Sequence, residues 1–200
     1  LPGNNNLAGD LSHPAIMPNV PVKYIGWLSR LKKKQTEEKS DHLLIILSGP
    51  EPQRSLFENI IIRDIAHYEG SATIVRGLPG THSLLPSTNS IRIYNHLPAK
   101  QLNEEMEMAE VVISRSGYST VMDIAALQKK SILVPTPGQT EQEYLASYYM
   151  EKDIALAASQ QFFSLPAEVQ KARLFPYRLP GVSDTNSLKT NIEALLSRLR

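Results

Sequence analysis

The chain has 200 residues, about two fifths of them hydrophobic, and a formal net charge of +1. This near balance of charge gives no support for a nucleic-acid-binding protein, because such proteins usually carry a basic excess. The absence of cysteine excludes a disulfide scaffold, a cysteine nucleophile and a thiolate metal site. No signal peptide is recognisable, and no apolar run approaches the roughly 20 residues of a membrane span. These properties predict a soluble domain, attached at most to a membrane surface.

The first 21 residues are rich in Asn, Gly and Pro and show no regular hydrophobic period. Such a stretch is typical of a linker or a surface loop. We therefore predict a linker and hinge segment over residues 1–30 and one globular domain over residues 31–200.

Short apolar runs alternate with longer amphipathic runs along the rest of the chain. The predicted elements, in chain order, are a strand at 22–25, a strand at 43–47, a helix at 52–67, strands at 72–76 and 91–94, a helix at 100–109, a strand at 111–114, a helix at 118–128, a strand at 131–134, a helix at 141–152, a strand at 154–157 and a terminal helix at 186–200. Pro52 suits a first helical position, and Leu56, Ile60 and Ile61 form the predicted apolar stripe of that helix. The alternation predicts an α/β fold, a doubly wound, Rossmann-like and mostly parallel sheet with helices on both faces.

In such a sheet, ligands bind just beyond the carboxyl ends of the strands. The sequence lacks the GxGxxG fingerprint and the phosphate loop that ends in Gly-Lys-Ser/Thr, which argues against an NAD enzyme and a nucleoside triphosphatase. It also lacks a His-Glu-x-x-His pair and an acidic calcium loop. Three segments that follow strands remain as candidate sites.

The first candidate segment is Ser-Gly-Pro-Glu-Pro-Gln-Arg at 48–54. It reads either as a tight turn between strand and helix or as a backbone cradle for phosphate at a helix N-terminus. In the second reading, Arg54 adds a fork of side-chain donors to the cradle.

The second candidate segment runs from Ser114 to Thr120 and leads to Asp123. With about 100° of rotation per helical residue, Ser116, Thr120 and Asp123 fall on one face. Hydroxyls and a carboxylate placed in this way can meet a phosphate and a ribose diol. In the alternative interpretation, Ser116 is only an N-cap and Asp123 a solvated helix residue.

The third candidate segment covers residues 135–143. Thr140 and Glu143 have the spacing of a capping box, which would explain both residues without a ligand.

The second and third segments lie within the run VVISRSGYSTVMDIAALQKKSILVPTPGQTEQEYLA. This run has Arg-Ser-Gly after an apolar strand, Thr three residues after the Gly, an acid three residues later, Ile-Ala-Ala and then Val-Pro. In this order and spacing, it resembles the C-terminal domain of glycosyltransferase family 28, and the resemblance extends over about residues 23–160.

The resemblance implies the donor-binding half of a two-domain GT-B glycosyltransferase. Such an enzyme transfers a hexosyl group from a UDP-sugar, here expected to be UDP-GlcNAc-like, to an acceptor hydroxyl. It implies no cofactor and no metal site in this chain. The acceptor site and the catalytic base would lie in an N-terminal domain that this chain lacks, so that the chain alone would be inactive. For the full protein, the resemblance implies a bacterial cytoplasmic enzyme of cell-envelope synthesis that is peripheral to the inner membrane.

Residue roles follow from the resemblance position by position. Asp123 replaces the family's ribose-binding glutamate, Gln142 matches the glutamine that contacts the donor sugar, and Glu143 is its polar neighbour. Donor-binding positions near the diphosphate are Arg30, Ser48, Gly49, Ser116, Gly117 and Thr120. The segment 95–101 is expected to contribute to the uracil pocket. The family's glycine-rich turn is here Ser-Gly-Pro-Glu-Pro-Gln-Arg, with fewer backbone donors, so we expect the Arg54 side chain to replace them.

Two other classes of function remain open from the residues. One is a nucleotide-sugar hydrolase or epimerase on the same fold. The other is a non-catalytic subunit of a split transferase, which an exposed apolar patch near Trp27 and Leu28, or along the terminal helix, would favour. The terminal helix carries Leu188, Ile192, Leu195 and Leu196 on one side, a face expected to pack on its own domain or on the missing one.

Overall fold

The computed structural model describes residues 7–13, 15–20, 22–34, 36–181 and 187–197. Within these residues, strands and α-helices alternate along the chain. The strands are β1 (Lys39–Ile46), β2 (Ser71–Val75), β3 (Ile91–Tyr94), β4 (Ala109–Ser114), β5 (Ser131–Leu133) and β6 (Leu156–Ala157). The helices are α1 (Gln53–Ile65), α2 (Ala99–Met108), α3 (Tyr118–Leu127), α4 (Thr140–Glu151), α5 (Leu165–Leu174) and α6 (Ser187–Ser197).

The strands form one sheet in the order β3-β2-β1-β4-β5-β6, and each neighbouring pair is parallel. The predicted fold class is therefore confirmed. The chain leaves β1 toward β2 and β3 on one side, and it returns to place β4 on the other side of β1. The carboxyl ends of β1 and β4 thus form a topological switch point, where open sheets of this kind have their ligand crevice.

The sheet is buried on both faces, as the continuous apolar runs of the central strands predict. Leu43 and Ile45 of β1 face a core shared with α1 and α5, whereas Leu44 faces a second core shared with α2, α3 and α4. Both cores extend beneath the carboxyl edge. They hold the loops of the crevice on a rigid support.

The predicted strand at 22–25 is wrong, because residues 22–29 have no strand structure. Backbone donors of this region bond to side chains instead of to a neighbouring strand: Leu28 N–H to Met122 Sδ at 3.2 Å, and Lys32 N–H to Asn103 Oδ1 at 2.9 Å. Trp27 and Leu31 are buried and fasten the segment to the core shared with α2 and α3. Residues 27–31 therefore form a strap across these two helices. The boundary at residue 30 between a hinge segment and the domain stays a prediction.

Two helix predictions need correction. Pro52 is the N-cap of α1 and not its first helical residue, and Leu56 is 49% exposed because the buried stripe runs through Phe57, Ile61 and Ile65. Helix α5 was not predicted at all. Its N-cap is Ser164, and the neighbouring Phe163 packs edge-on against Phe57 with ring centroids 5.2 Å apart.

The terminal helix is described only as far as Ser197, so the ends of the predicted range 186–200 lie outside the described residues. Its apolar residues Ile192, Leu195 and Leu196 are each about half exposed. The described residues of its own domain therefore leave much of this face uncovered, and the alternative, that it packs on the missing domain, stays a prediction. Among the described helices, none combines the length and the hydropathy that crossing a membrane would require.

A candidate nucleotide-binding crevice at the carboxyl edge of the sheet

A cavity of about 410 Å³ opens at the switch point, between α2, α3 and the strap. This volume lies within the range of small-molecule sites. Its lining residues are Leu28, Arg30, Ile46, Leu102, Met106, Ser119, Thr120 and Asp123. Three residues predicted to bind the donor, Arg30, Thr120 and Asp123, therefore line one cavity.

A larger groove of about 620 Å³ lies at the opposite edge of the sheet, beside Tyr68 and α5. Arg173 lines this groove, and its guanidinium is paired with the carboxylates of Asp41 and Glu110. Because parallel sheets bind ligands at their carboxyl edge, and because these charges neutralise one another, we assign the ligand site to the smaller cavity.

The cavity has an apolar and a polar side. Ile46 at the end of β1 and two residues of α2, Leu102 and Met106, supply the apolar side. Such a surface can bury the flat face of a base. The segment 95–101, predicted to form the uracil pocket, ends just before this surface and contributes no lining residue to the cavity. Asn95 instead binds the Arg76 side chain at 2.8 Å and the carbonyl of Thr81 at 2.7 Å.

The N-terminus of α3 opens at the polar side. Gly117 is the N-cap, with an extended backbone and no side-chain cap, and the space that its Cβ would point into is empty. The first amides of a helix have no acceptor within the helix, and the helix dipole adds positive potential. Together with the exposed guanidinium of Arg30, these amides make the position suitable for an anion.

Asp123 lies one turn further along α3 and is half-buried, so it is not the solvated residue of the alternative interpretation. Its Oδ1 accepts a hydrogen bond of 2.6 Å from Ser29 Oγ in the strap. Burial raises the pKa of Asp123, and the Ser29 hydrogen bond and the charge of Arg30 oppose this rise. Ser29 was not predicted, and only its position beside Arg30 gave any indication of it.

Ser116 and Gln142 form a second cluster, which connects the start of α3 to the start of α4. Ser116 is fully buried, and its hydroxyl donates to the backbone carbonyl of Gln142 at 2.7 Å, so it is not the N-cap that the alternative interpretation proposed. The Gln142 side chain accepts from Thr136 N–H at 2.9 Å and donates to Gln139 Oε1. Ser116 therefore positions α4 and offers no free hydroxyl to a ligand.

The predicted capping box at the start of α4 is not formed. Gln139, not Thr140, is the N-cap, and Glu143 accepts from Gly138 N–H at 2.9 Å. Glu143 thus supports the turn before the helix. Gly138 has a φ of +82°, in the left-handed region that favours glycine, and space is open beyond it.

Arg115 belongs to the Arg-Ser-Gly motif of the resemblance, but the sequence analysis assigned it no role. It is 2% exposed, and its guanidinium donates to the carbonyls of Gln53 at 3.0 Å and Val134 at 3.1 Å, with longer bonds to Pro135 and Ser48. Its Cζ lies 4.7 Å from the centre of the Phe57 ring, and burial lowers its pKa to about 10. This arginine ties the loops after β1, β4 and β5 together. Its place directly after an apolar strand, within the Arg-Ser-Gly motif, was the signal in the sequence.

Ser48 and Gly49 are exposed at the end of β1, next to these loops. Gly49 has a φ of +102°, and a Cβ there would meet Thr136 Oγ1 at 3.3 Å. The turn therefore brings Ser48 and Gly49 beside the cluster of Ser116 and Gln142.

The buried Arg54 side chain belongs to an ion cluster with Glu51 of this turn and Glu58 of α1. Its guanidinium bonds to Glu51 at 2.6 Å and to Glu58 at 2.9 Å, and Glu58 also pairs with Arg76. Burial acts to raise the pKa of Glu58, but the hydrogen bonds from Arg76 and Arg54 outweigh it, so the pKa is lowered. Arg54 donates in addition to Ser55 Oγ at 2.7 Å. Its donors are used within the protein, so the structure does not support the predicted role as a substitute for phosphate-binding amides.

Comparison with known families gives one match that covers more than half of the chain. The family model described as glycosyltransferase family 28 C-terminal domain matches residues 83–194. The matched region contains the cavity residues of α2 and α3, the cluster of Ser116 and Gln142, and Arg115 itself.

Among curated proteins, similar sequences include UDP-N-acetylglucosamine–N-acetylmuramyl-(pentapeptide) pyrophosphoryl-undecaprenol N-acetylglucosamine transferases. The protein of Methylobacterium radiotolerans is 37% identical over 90 residues, which cover 42% of this chain and 24% of that protein. The protein of a further Methylobacterium species is 27% identical over 141 residues, which cover 70% of this chain and 34% of that protein. The chain thus spans about a quarter to a third of the length of these relatives.

Solved structures share the fold at low identity. The Acinetobacter baumannii MurG structure superposes with a TM-score of 0.59 at 15% identity and covers 90% of this chain and 58% of that one. The ALG13 solution structure superposes with a TM-score of 0.52 at 11% identity and covers 76% of this chain and 94% of that one. The same fold therefore occurs both as one half of a longer chain and as nearly all of a short one.

Proposed function

Because the chain belongs to the family of glycosyltransferase family 28 C-terminal domains, we propose that it binds a UDP-sugar at the crevice and serves as the donor half of a hexosyltransferase. One observation carries the proposal. An open helix N-terminus, a guanidinium and a half-buried carboxylate meet beside an apolar surface at the switch point of the sheet. A nucleoside diphosphate carries a matching group for each: a diphosphate for the helix N-terminus and the guanidinium, a ribose diol for the carboxylate, and a flat base for the apolar surface.

Each part of the donor has a proposed position. The uracil ring packs on Ile46, Leu102 and Met106, and a ribose hydroxyl donates to Asp123. The diphosphate lies at the N-terminus of α3 near Arg30. The sugar extends toward the start of α4, where Gln142 and Glu143 would have to exchange hydrogen bonds within the protein for bonds to sugar hydroxyls.

The proposed reaction is displacement at the anomeric carbon of the donor sugar. The acceptor oxygen forms the new bond, the bond from the anomeric carbon to the diphosphate oxygen breaks, and UDP leaves with the electron pair. The acceptor proton passes to a base in the acceptor domain of the full protein. Donors that are already aimed at the leaving diphosphate stabilise its developing charge without reorganisation. In this chain, those donors are the α3 amides and Arg30.

We expect UDP binding to be independent of divalent metal, because amides and a guanidinium supply the positive charge and the sequence has no Asp-x-Asp motif. Titration of UDP in the presence and absence of a chelator tests this expectation. A loss of affinity on chelation would contradict it.

Calorimetric titration with UDP, UDP-GlcNAc, UDP-glucose and ADP tests the function directly. We expect UDP to bind more tightly than ADP, because the similar curated proteins are named for a UDP-sugar. The affinities of UDP-GlcNAc and UDP-glucose should rank the preference for the donor sugar. ADP binding as tight as UDP binding would refute the assignment of the nucleotide. If the chain converted a UDP-sugar into UDP and free sugar in the absence of an acceptor, this result would support the hydrolase alternative instead.

A second candidate function is that of a donor-binding subunit that docks on a separate acceptor subunit. The half-exposed Ile192, Leu195 and Leu196 of α6 favour it, because such a face is costly to leave in water. Under both candidates, the chain alone binds donor and transfers no sugar. Addition of a separately produced acceptor domain should restore transfer only if the two parts associate.

A further inference from the structure

We infer that Ser29 is a positioning residue that orients Asp123 toward a single ribose hydroxyl and thereby sets the preference for a ribonucleotide. The inference rests on the proposed function and adds to it a residue from outside the matched family region. Asp123 is one methylene shorter than the glutamate expected at its position. A short carboxylate has less reach, and its direction therefore matters more.

The hydrogen bonds of Ser29 fix the direction of its single proton. Leu31 N–H donates to Ser29 Oγ at 3.0 Å, which occupies a lone pair of the hydroxyl. The Ser29 hydroxyl can then donate its proton either to Asp123 Oδ1, at 2.6 Å, or to the Leu31 carbonyl, at 3.4 Å. The short bond to the charged acceptor is the stronger of the two. The hydroxyl is thus a donor held against the carboxylate.

The strap holds this hydroxyl in place from both sides. Trp27 precedes it and Leu31 follows it, and both are buried in the core shared with α2 and α3. The next backbone amide, that of Lys32, donates to Asn103 Oδ1 at 2.9 Å. The position of the Ser29 hydroxyl is therefore set by its buried neighbours along the strap.

The bond leaves Asp123 with one oxygen for a ligand. Oδ1 is occupied by Ser29, and Oδ2 has no hydrogen-bond partner among the residues that the structure describes. The side chain lines the cavity together with Thr120 and Arg30. A carboxylate fixed through Oδ1 can accept from one hydroxyl in a defined direction through Oδ2. Without Ser29, the carboxylate can rotate about its Cβ–Cγ bond and lose this direction.

The test compares UDP with 2′-deoxy-UDP and 3′-deoxy-UDP by calorimetry on the full chain, its Ser29→Ala variant and its Ser29→Thr variant. These ligands share base and diphosphate, so their affinity ratios isolate the ribose contact. For the unmodified chain, we expect one of the deoxy ligands to bind roughly tenfold more weakly than UDP, the value of one good hydrogen bond to a charged group. Ser29→Ala should reduce this ratio to less than about threefold, and Ser29→Thr should restore it because it keeps the hydroxyl.

A Ser29→Ala variant that keeps the tenfold ratio would overturn the inference and leave the proposed function intact. Tighter UDP binding by Ser29→Ala would also overturn it, because Ser29 would then compete with the ribose for Asp123. A loss of all UDP binding in both variants would do the same, since the threonine should preserve the contact. If the unmodified chain binds UDP without any preference over either deoxy ligand, the ribose contact of the proposed function fails together with the inference.

Discussion

Replacement of Asp123 by Asn separates the binding role of this residue from its structural role. Asn has nearly the same shape and keeps an oxygen that can accept the bond of 2.6 Å from Ser29, so the strap should stay in place. What it loses is the negative charge. A hydrogen bond to a charged acceptor contributes about 1.5–3 kcal/mol and a neutral one about 0.5–1.5 kcal/mol. We expect UDP binding to weaken by about 1–1.5 kcal/mol, roughly 5- to 15-fold.

The effect on stability should have the opposite sign. Burial raises the pKa of Asp123 above its ordinary value, so the folded protein holds this proton more tightly than the unfolded chain does. The contribution of this group to the free energy of unfolding therefore falls as the pH rises from the ordinary pKa to the raised one. At neutral pH, Asp123→Asn removes the cost of a buried charge. We expect the variant to be at least as stable as the unmodified chain.

Calorimetry with UDP and urea unfolding at neutral pH measure the two effects. Glu69→Gln is a matched control, because it removes the same charge from an exposed residue of the groove at the opposite edge of the sheet. It should leave UDP affinity unchanged. If Asp123→Asn bound UDP as tightly as the unmodified chain does, or weakened UDP and both deoxy ligands equally, the carboxylate would not be a ribose contact.

Three further predictions concern the charged groups around the crevice. UDP affinity should fall on acidification through the raised pKa of Asp123, at a higher pH than for an ordinary aspartate, and Asp123→Asn should lack this step. A series of UDP titrations upward from about pH 4, just above the ordinary aspartate pKa of about 3.9, tests this. Arg54→Ala should change UDP affinity by less than about twofold. It should lower the free energy of unfolding by about 2 kcal/mol, because Glu58 keeps only one of its two partners. If the variant bound UDP more weakly while its stability stayed unchanged, Arg54 would belong to the donor site after all. Arg115→Met should destabilise the fold by about 2 kcal/mol or more, since it leaves buried carbonyls without a donor; a urea midpoint equal to that of the unmodified chain would contradict this.

The sheet and its crevice were predictable because they depend on local patterns. The runs around Leu43 and Val111 are too short for helices and apolar throughout, which is typical of strands buried on both faces. The alternation with helices then fixes a parallel sheet, and with it the edge where ligands bind. The placement of Arg30, Thr120 and Asp123 around one cavity agrees with the resemblance, although their contacts with a donor remain predictions.

The parts that were missed depend on contacts between distant residues. Ser29 meets Asp123 across 94 positions, and no period or motif links them. Arg54 was expected at the phosphate because it follows a turn, but Glu51 in that turn and Glu58 on its own helix both pair with its guanidinium. Helix α5 is a different case, since Leu165, Val169 and Ala172 have a helical spacing that the sequence displays.

The way in which Arg115 holds the crevice bears on how this domain can diverge in sequence. Among the described residues, its guanidinium donates hydrogen bonds to main-chain oxygens alone, and any residue type supplies such an oxygen. Substitutions at the residues that supply these carbonyls can therefore leave the hydrogen bonds to Arg115, and the arrangement of the loops, in place. The anchor suits the turn Ser-Gly-Pro-Glu-Pro-Gln-Arg of this chain, because it bonds to the carbonyls of Ser48 and Gln53 whatever side chains stand between them.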